Sequence, residues 1–391
     1  MVRIPIIILA FYVSILNAFS QKVDSAGYHP RKLKFEEVNF VSGYYRQDGN
    51  NAAVTGGVGS EKLTDLATTF DIKLSKIDAR KRINSYDFEF GIDTYTSASS
   101  DKVDPSTISS ASSTDQRFYP SLSWSRLNES KGTSIGANAS FSSEFDYLSI
   151  GAGVNAFKDS KDKSRQVGVR LQTYQDFVTM IYPIELRFRR AAGIEPRDTY
   201  SATFSYSQIV NPRLQVLFLL DLAYQKGFLS LPFNRVYFKD NTVDIEKLPR
   251  TRFKYPASIR VSYFAGDIVI LRGFYRYYQD DWGLTSTTAE IETAIKITPF
   301  VSVSPFYRYY TQSAVDYFSP YREHSRSDRY ITSDYDLSKF DSHFVGSGIR
   351  VISPTGVFGI ARFNAIEIRY GHYNRTTGLV SNIVSLNARF K

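Results

Sequence analysis

Apolar and polar residues alternate with a period of two along most of this chain. On an extended strand that alternation sends one set to each face. In residues 86–95, Tyr86, Phe88, Phe90 and Ile92 share a face, and Asp87, Glu89, Gly91 and Asp93 share the other. In residues 133–141, Ile135, Ala137, Ala139 and Phe141 oppose Ser134, Gly136, Asn138 and Ser140. Residues 148–156, 200–207 and 269–278 repeat the pattern, and no segment after the N-terminus is long and apolar enough for a membrane helix. The chain therefore reads as all-β.

Two architectures produce such strands. A soluble sandwich turns its apolar face inward, whereas a membrane barrel turns it outward to lipid and encloses a polar lumen. Three features favour the barrel. The segments run about ten residues, the length at which a tilted strand crosses a bilayer. Aromatic residues gather near segment ends, at Trp124, Tyr206, Tyr263, Tyr277 and Tyr309, as interfacial girdles do. Connections also alternate short and long. With the C-terminal segment 380–390 ending in the periplasm at Phe390, short turns near Glu129, Asp162, Asn211, Gly266 and Pro299 fall on that side. The long connections 46–64, 97–116, 177–197, 225–256 and 312–340 fall outside; a short outer turn near Glu144 and a longer inner one at 353–362 are the exceptions. The expected fold is one transmembrane antiparallel β-barrel of about 16 strands, between 14 and 18, an even number as bacterial barrels prefer.

The N-terminus gives the route to that membrane. Arg3 precedes an apolar run from Ile4 to Leu16, and Ala18-Phe19-Ser20 suits a signal peptidase. Residues 1–20 are read as a signal peptide cleaved before Gln21, 21–35 as an N-terminal lead, and 36–391 as the barrel. The expected location is the bacterial outer membrane. The chain has no cysteine, which removes thiol and Cys–metal chemistry. Its net charge of +9 comes from basic residues scattered through alternating segments, so no nucleic-acid partner is expected.

Several strings carry a family resemblance. They are Val54-Thr55-Gly56-Gly57, Asp93-Thr94-Tyr95-Thr96-Ser97-Ala98-Ser99-Ser100, and Leu231-Pro232-Phe233-Asn234-Arg235. To these are added residues 275–283 (YRYYQDDWG) and 306–314 (FYRYYTQSA). Together they resemble the domain-of-unknown-function 3570 group of outer-membrane proteins, common in Bacteroidota. The resemblance spans nearly the whole mature chain. It implies an outer-membrane barrel and implies no activity.

Parity on the later strands turns Arg260, Arg272, Arg276, Glu290, Glu292, Arg308, Arg350, Glu367 and Arg369 toward the lumen, and on the early strands Asp87, Glu89 and Asp93. Arg272, Arg276, Glu290, Glu292 and Arg308 lie on three consecutive strands and could form a cross-strand ladder of ion pairs. Two readings follow. One is a pore wall, acidic on the early side and basic on the later, selecting small solutes for passive passage. The other is a non-conducting barrel whose charges hold its shape and which partners other envelope proteins. Glycines 136, 151 and 153 leave room either for an outer loop, 97–116 or 177–197, to enter the lumen or for tight packing of a small lumen. Asp93, Asp101, Asp104 and Asp115 could bind calcium, although no EF-hand spacing is present. An enzyme is not expected: the chain has four histidines, and the single catalytic arrangement to weigh is a lipid hydrolase around His343. No cofactor is expected. The expected partners are outer-membrane lipid, the barrel-insertion machinery and other envelope proteins.

Overall fold

The structure, a computed structural model, describes residues 33–96, 114–190 and 192–391. The signal peptide, nearly all of the lead and most of the loop 97–116 lie outside those residues. In chain order the strands are β1 (Lys34–Asp48), β2 (Leu63–Ile77), β3 (Ile83–Thr96), β4 (Thr114–Asn128), β5 (Thr133–Ser143), β6 (Tyr147–Asp159), β7 (Arg165–Thr179), β8 (Ile194–Asn211) and β9 (Leu214–Gly227). A hairpin of β10 (Arg235–Tyr237) and β11 (Val243–Ile245) follows. Then come β12 (Thr251–Lys254), β13 (Ala257–Ala265), β14 (Val269–Gln279), β15 (Thr285–Lys296), β16 (Val301–Gln312), β17 (Phe340–Ile352), β18 (Phe363–Arg375) and β19 (Val380–Phe390).

Every neighbouring pair in the main sheet is antiparallel, and β19 pairs with β1 over Val38↔Phe390 to Asp48↔Val380, closing the ring. Strands β12 and β13 both pair with β9 in one unbroken register, Lys254↔Ala223 and Ala257↔Leu220. They form a single stave interrupted at Pro256, which has no N–H to give the ladder. The barrel thus has 16 staves. Closure matters because an open edge would leave backbone N–H and C=O groups unpaired in hydrocarbon.

The outer face is oily. Phe88, Leu122, Ile135, Ile150, Val154, Ile291, Ile349 and Ile368 are all large, apolar and exposed, and several exceed 50% exposure (Leu122 53%, Val154 54%, Ile349 55%). A belt of that extent is tolerated only against lipid or another apolar surface. Tyr206 and Tyr263 lie toward the turn end of this face and Tyr44 and Tyr277 toward the loop end, all exposed, where amphipathic rings meet headgroups. The expected exceptions in connection length are present: a three-residue outer link at 144–146 and a long inner turn at 353–362 holding a 3-10 turn, Val357–Gly359. Two further outer links, 280–284 and 376–379, are also short. The first stave begins at Lys34, two residues before the expected boundary of the barrel.

Candidate functional site: a chamber under the folded loops

Among the described residues the buried apolar side chains gather in three clusters; Val357, Phe363 and Ala388 pack together at the inner turn 353–362, and the other two clusters lie among the outer connections. Val236, Phe238 and Ile331 form one cluster, and Leu248, Trp282, Leu284 and Val315 form another. All seven belong to the outer connections, so these loops fold against one another into a cap.

Three polar side chains bind the cap together. Arg235, 5% exposed, donates to Glu185 Oε1 at 2.5 Å and Oε2 at 3.1 Å, and to the Val54 carbonyl at 2.7 Å. It thereby joins connections 49–62, 180–193 and 228–250. Arg375, at the end of β18, donates to Asp336 Oδ1 at 2.6 Å and to the Tyr335 carbonyl, and its guanidinium lies 4.0 Å from the Phe340 ring centroid. This pins connection 313–339 to the wall. Asp280 is the third: its carboxylate accepts from Arg252 Nε at 2.8 Å, Tyr278 Oη at 2.7 Å, Trp282 N at 2.9 Å and Leu284 N at 3.1 Å. Trp282 in turn donates Nε1–H to the Thr251 carbonyl at 2.9 Å, with Arg252 stacked 4.2 Å above its ring.

The strings that carry the family resemblance converge here. Gly56 sits at φ +80°, where a Cβ would strike the Tyr237 ring at 2.7 Å; Gly57, at φ +85°, would strike the Ser333 carbonyl at 2.6 Å. Only glycine allows that turn and that approach. The Leu231–Arg235 string supplies the Arg235 clamp, and the YRYYQDDWG string supplies Asp280 and Trp282.

Beneath the cap lies a cavity of about 960 Å³. Wall and loops both line it. The wall contributes Tyr45, Phe274, Arg276, Arg308, Tyr310 and Tyr373, and the loops contribute Val54, Glu61, Phe233, Asn234, Asp334 and Asp336. Such a mixture of rings and charged groups can hold a small solute by stacking and by hydrogen bonding at once. Two loop acids are held toward their neutral forms. Burial lifts the Glu246 carboxyl to about 6, even though Thr332 Oγ1 donates to it at 2.6 Å and the Leu231 N–H at 2.8 Å. Burial, helped by the nearby Asp336 and Glu246 carboxylates, lifts Asp334 to about 8.

The candidate lining residues fall as follows. Arg272 meets Glu292 at 2.5 Å, Arg308 meets Glu290 at 2.6 Å, and Arg369 bridges Glu292 at 2.5 Å and Glu367 at 3.0 Å. The ladder therefore extends beyond the three expected strands, to β18. Arg276 stands outside it: it lines the chamber and forms no ion pair among the described residues. Arg260 lies 5.7 Å from the Phe274 ring, and Arg350 is opposite Glu367 in register. On the early strands Asp87 is opposite Lys73, Glu89 opposite Asp71, and Asp93 accepts from Tyr119 Oη at 2.8 Å. Glu89 also lines a second cavity of about 510 Å³, with Arg117, Tyr119 and Asp176. Cations are interleaved on this early side, since Lys73 lies 3.1 Å from both Glu37 and Asp71.

Aromatic rings stand on the inner face as well. Phe274 and Phe344 line the chamber, and Phe306 packs 5.1 Å from Phe344 over Gly346 and Gly371. The arginines explain the inward rings: Arg369 lies 5.1 Å from the Phe306 centroid and Arg308 lies 5.5 Å from that of Phe344. Strand parity had placed Phe274 with Arg272, so the clue was present. Among the described residues the loops that line the chamber come from connections 49–62, 228–250 and 313–339; the expected 177–197 is instead held at the cap by the Arg235–Glu185 pair, and the other expected loop, 97–116, lies mostly outside the described residues. Asp115 clusters with Glu144 and Asp146, their ligand atoms within 4.8 Å of one another, and not with Asp93; Asp101 and Asp104 lie outside the described residues. His343 accepts or donates at Nδ1 to Tyr307 Oη at 2.7 Å and packs against Tyr309.

A closed ring of staves, oily outside and charged inside, with long loops folded over one mouth, defines an outer-membrane type of transmembrane β-barrel. Within that class the chain belongs to the family described as "Protein of unknown function (DUF3570)", which it matches over residues 85–374. No curated protein matches the sequence. Among solved structures, the chain is similar to a BenF-like porin from Pseudomonas fluorescens Pf-5 at 8% identity and TM-score 0.47, covering 92% of this chain and 99% of that one. It is also similar to Pseudomonas aeruginosa OpdK with vanillate (7%, TM-score 0.42, covering 90% and 97%) and to Pseudomonas aeruginosa OccD3, or OpdP (7%, 0.43, covering 92% and 91%).

Proposed function

We propose that this barrel is a porin-like channel for passive passage of small solutes, with the capped chamber as its selective step. The observation that carries the reading is the chamber itself. A space of about 960 Å³ lies where folded loops meet the barrel wall, and arginines, carboxylates and aromatic rings all open onto it. A passing solute exchanges water for these groups, so their charge and spacing set which solutes cross. The Arg–Glu ladder below would continue that polar path. The chain's own chemistry in this reading is binding and exclusion; no bond is made or broken. The same reading includes export by a signal peptide cleaved before Gln21, delivery by the barrel-insertion machinery and residence among outer-membrane lipids. Reconstitution into planar bilayers tests it. Discrete conductance steps that shift on Arg276→Glu are expected; a silent bilayer containing folded protein would favour the non-conducting barrel that partners other envelope proteins.

A further inference from the structure

A further cavity lies far from the chamber, at the turn end of the barrel. It measures about 600 Å³ and is lined by two adjacent turns, β4–β5 and β6–β7. Lys131, Lys158, Lys161, Lys163 and Arg165 line it, and none forms an ion pair among the described residues.

The nearby acids are mostly engaged within their own turns. Asp162 accepts from Ser164 Oγ at 2.7 Å and from Ser160 Oγ, and Asp159 accepts from Gln166 Nε2 at 2.8 Å. Only Glu129 of the cavity's carboxylates has no such partner among the described residues. Those hydrogen bonds leave the carboxylates charged, and Lys158 Nζ also donates to the Lys131 carbonyl, but the lining still sets five cations against two carboxylates, Glu129 and Asp159, and keeps a net positive charge.

Orientation tells what could answer it. Lys158 continues the outward set Ile150, Val154 and Ala156 of β6, and Arg165 continues the outward set Leu171, Val169 and Val167 of β7. Val167 and Tyr206 line the same cavity, and both are exposed on the lipid side. Cations thus sit at the rim, directly beyond an apolar and aromatic surface. Lipid headgroups occupy that level, with acyl chains alongside the apolar part.

We infer that this cavity is a binding site for an anionic phospholipid of the inner leaflet. The headgroup phosphate would take charge-assisted hydrogen bonds from Lys158, Lys163 and Arg165, and the acyl chains would lie on Val167 and Tyr206. Long basic side chains reach such a phosphate while their stems stay on apolar surface.

Native mass spectrometry of the delipidated full-length barrel tests this, with phosphatidylglycerol or phosphatidylcholine added back. The expected result is preferential retention of phosphatidylglycerol. Preference should fall about fivefold for each basic side chain removed, in Lys158→Gln and Arg165→Gln singly and together. Lys239→Gln, at the opposite end, should leave it unchanged. Equal retention of both lipids, or an undiminished preference in the double variant, overturns the assignment. So does displacement by millimolar inorganic phosphate, which would mark a site for the anion alone. Both exchanged residues are on the surface, and the heat-modifiable gel shift of a folded barrel checks that the variants fold. Conductance does not enter the readout, so this inference and the channel reading can fail separately.

Discussion

Asp280 shows how much one side chain can hold. Its carboxylate is enclosed, and its partner Arg252 is only 12% exposed. Removing the carboxylate leaves a largely enclosed guanidinium and two backbone N–H groups without their acceptor, a loss of about 3–5 kcal/mol for a buried pair. Asp280→Ala is therefore expected to open the cap locally. Trp124 and Trp282 are the two tryptophans, so in a Trp124→Phe background the emission of Trp282 should shift to the red; unchanged emission would count against the hub. The two buried loop acids make a pH prediction. Burial raises Glu246 to about 6 and Asp334 to about 8. The closed cap keeps protons that the opened loops would release, so closure is favoured at low pH. It weakens as pH rises from the ordinary carboxylate range to about 8, and then levels off. Proteolysis of the loops should quicken across that window, and Asp334→Asn should flatten the upper part of it.

At the scale of elements, the staves and the loops obey different rules. A stave is specified by its own alternation, because a one-residue slip would turn every oily side chain into the lumen. That is why β3, β5, β6 and β8 were legible from residues 86–95, 133–141, 148–156 and 200–207. The loops have no such period. Their structure depends on Arg235 meeting Glu185, 50 residues away, and Val54, 181 residues away. The strings around Arg235 and Val54 could be picked out in the sequence; that they meet, and that Glu185 joins them, could not. Arg235→Ala should release connections 49–62 and 180–193 from the hairpin. The expected readouts are faster tryptic cleavage of these loops and larger or noisier conductance, while the barrel's melting temperature stays nearly constant. A lower barrel melting temperature with unaltered loop cleavage would show that Arg235 supports the wall and not the cap. Gly346 and Gly371 are a similar case within the wall: in the sequence they are two glycines, and in the fold they are the floor on which Phe306 and Phe344 lie.

For the whole molecule, the membrane is the solvent of one face only. Val154 is 54% exposed on the lipid side of β6, well inside the stave. Val154→Arg is expected to cost about 2–4 kcal/mol, the depth-dependent penalty for a cation on a barrel's lipid face, measured by denaturant unfolding from lipid vesicles. A cost near zero would mean that this face meets water. What the sequence alone determined is the set of decisions that are local and periodic: strands in place of helices, which face meets lipid, where most of the short inner turns fall, and that Arg and Glu of neighbouring staves share a face. Only the tertiary structure decided that the long loops fold inward on their own apolar clusters, that Phe306 and Phe344 lie together over Gly346 and Gly371, and that Arg276 opens onto the chamber with no ion pair among the described residues. The physical reason is range. Alternation is written in residues two apart, whereas a cap is made by contacts between segments that only the closing of the ring brings together.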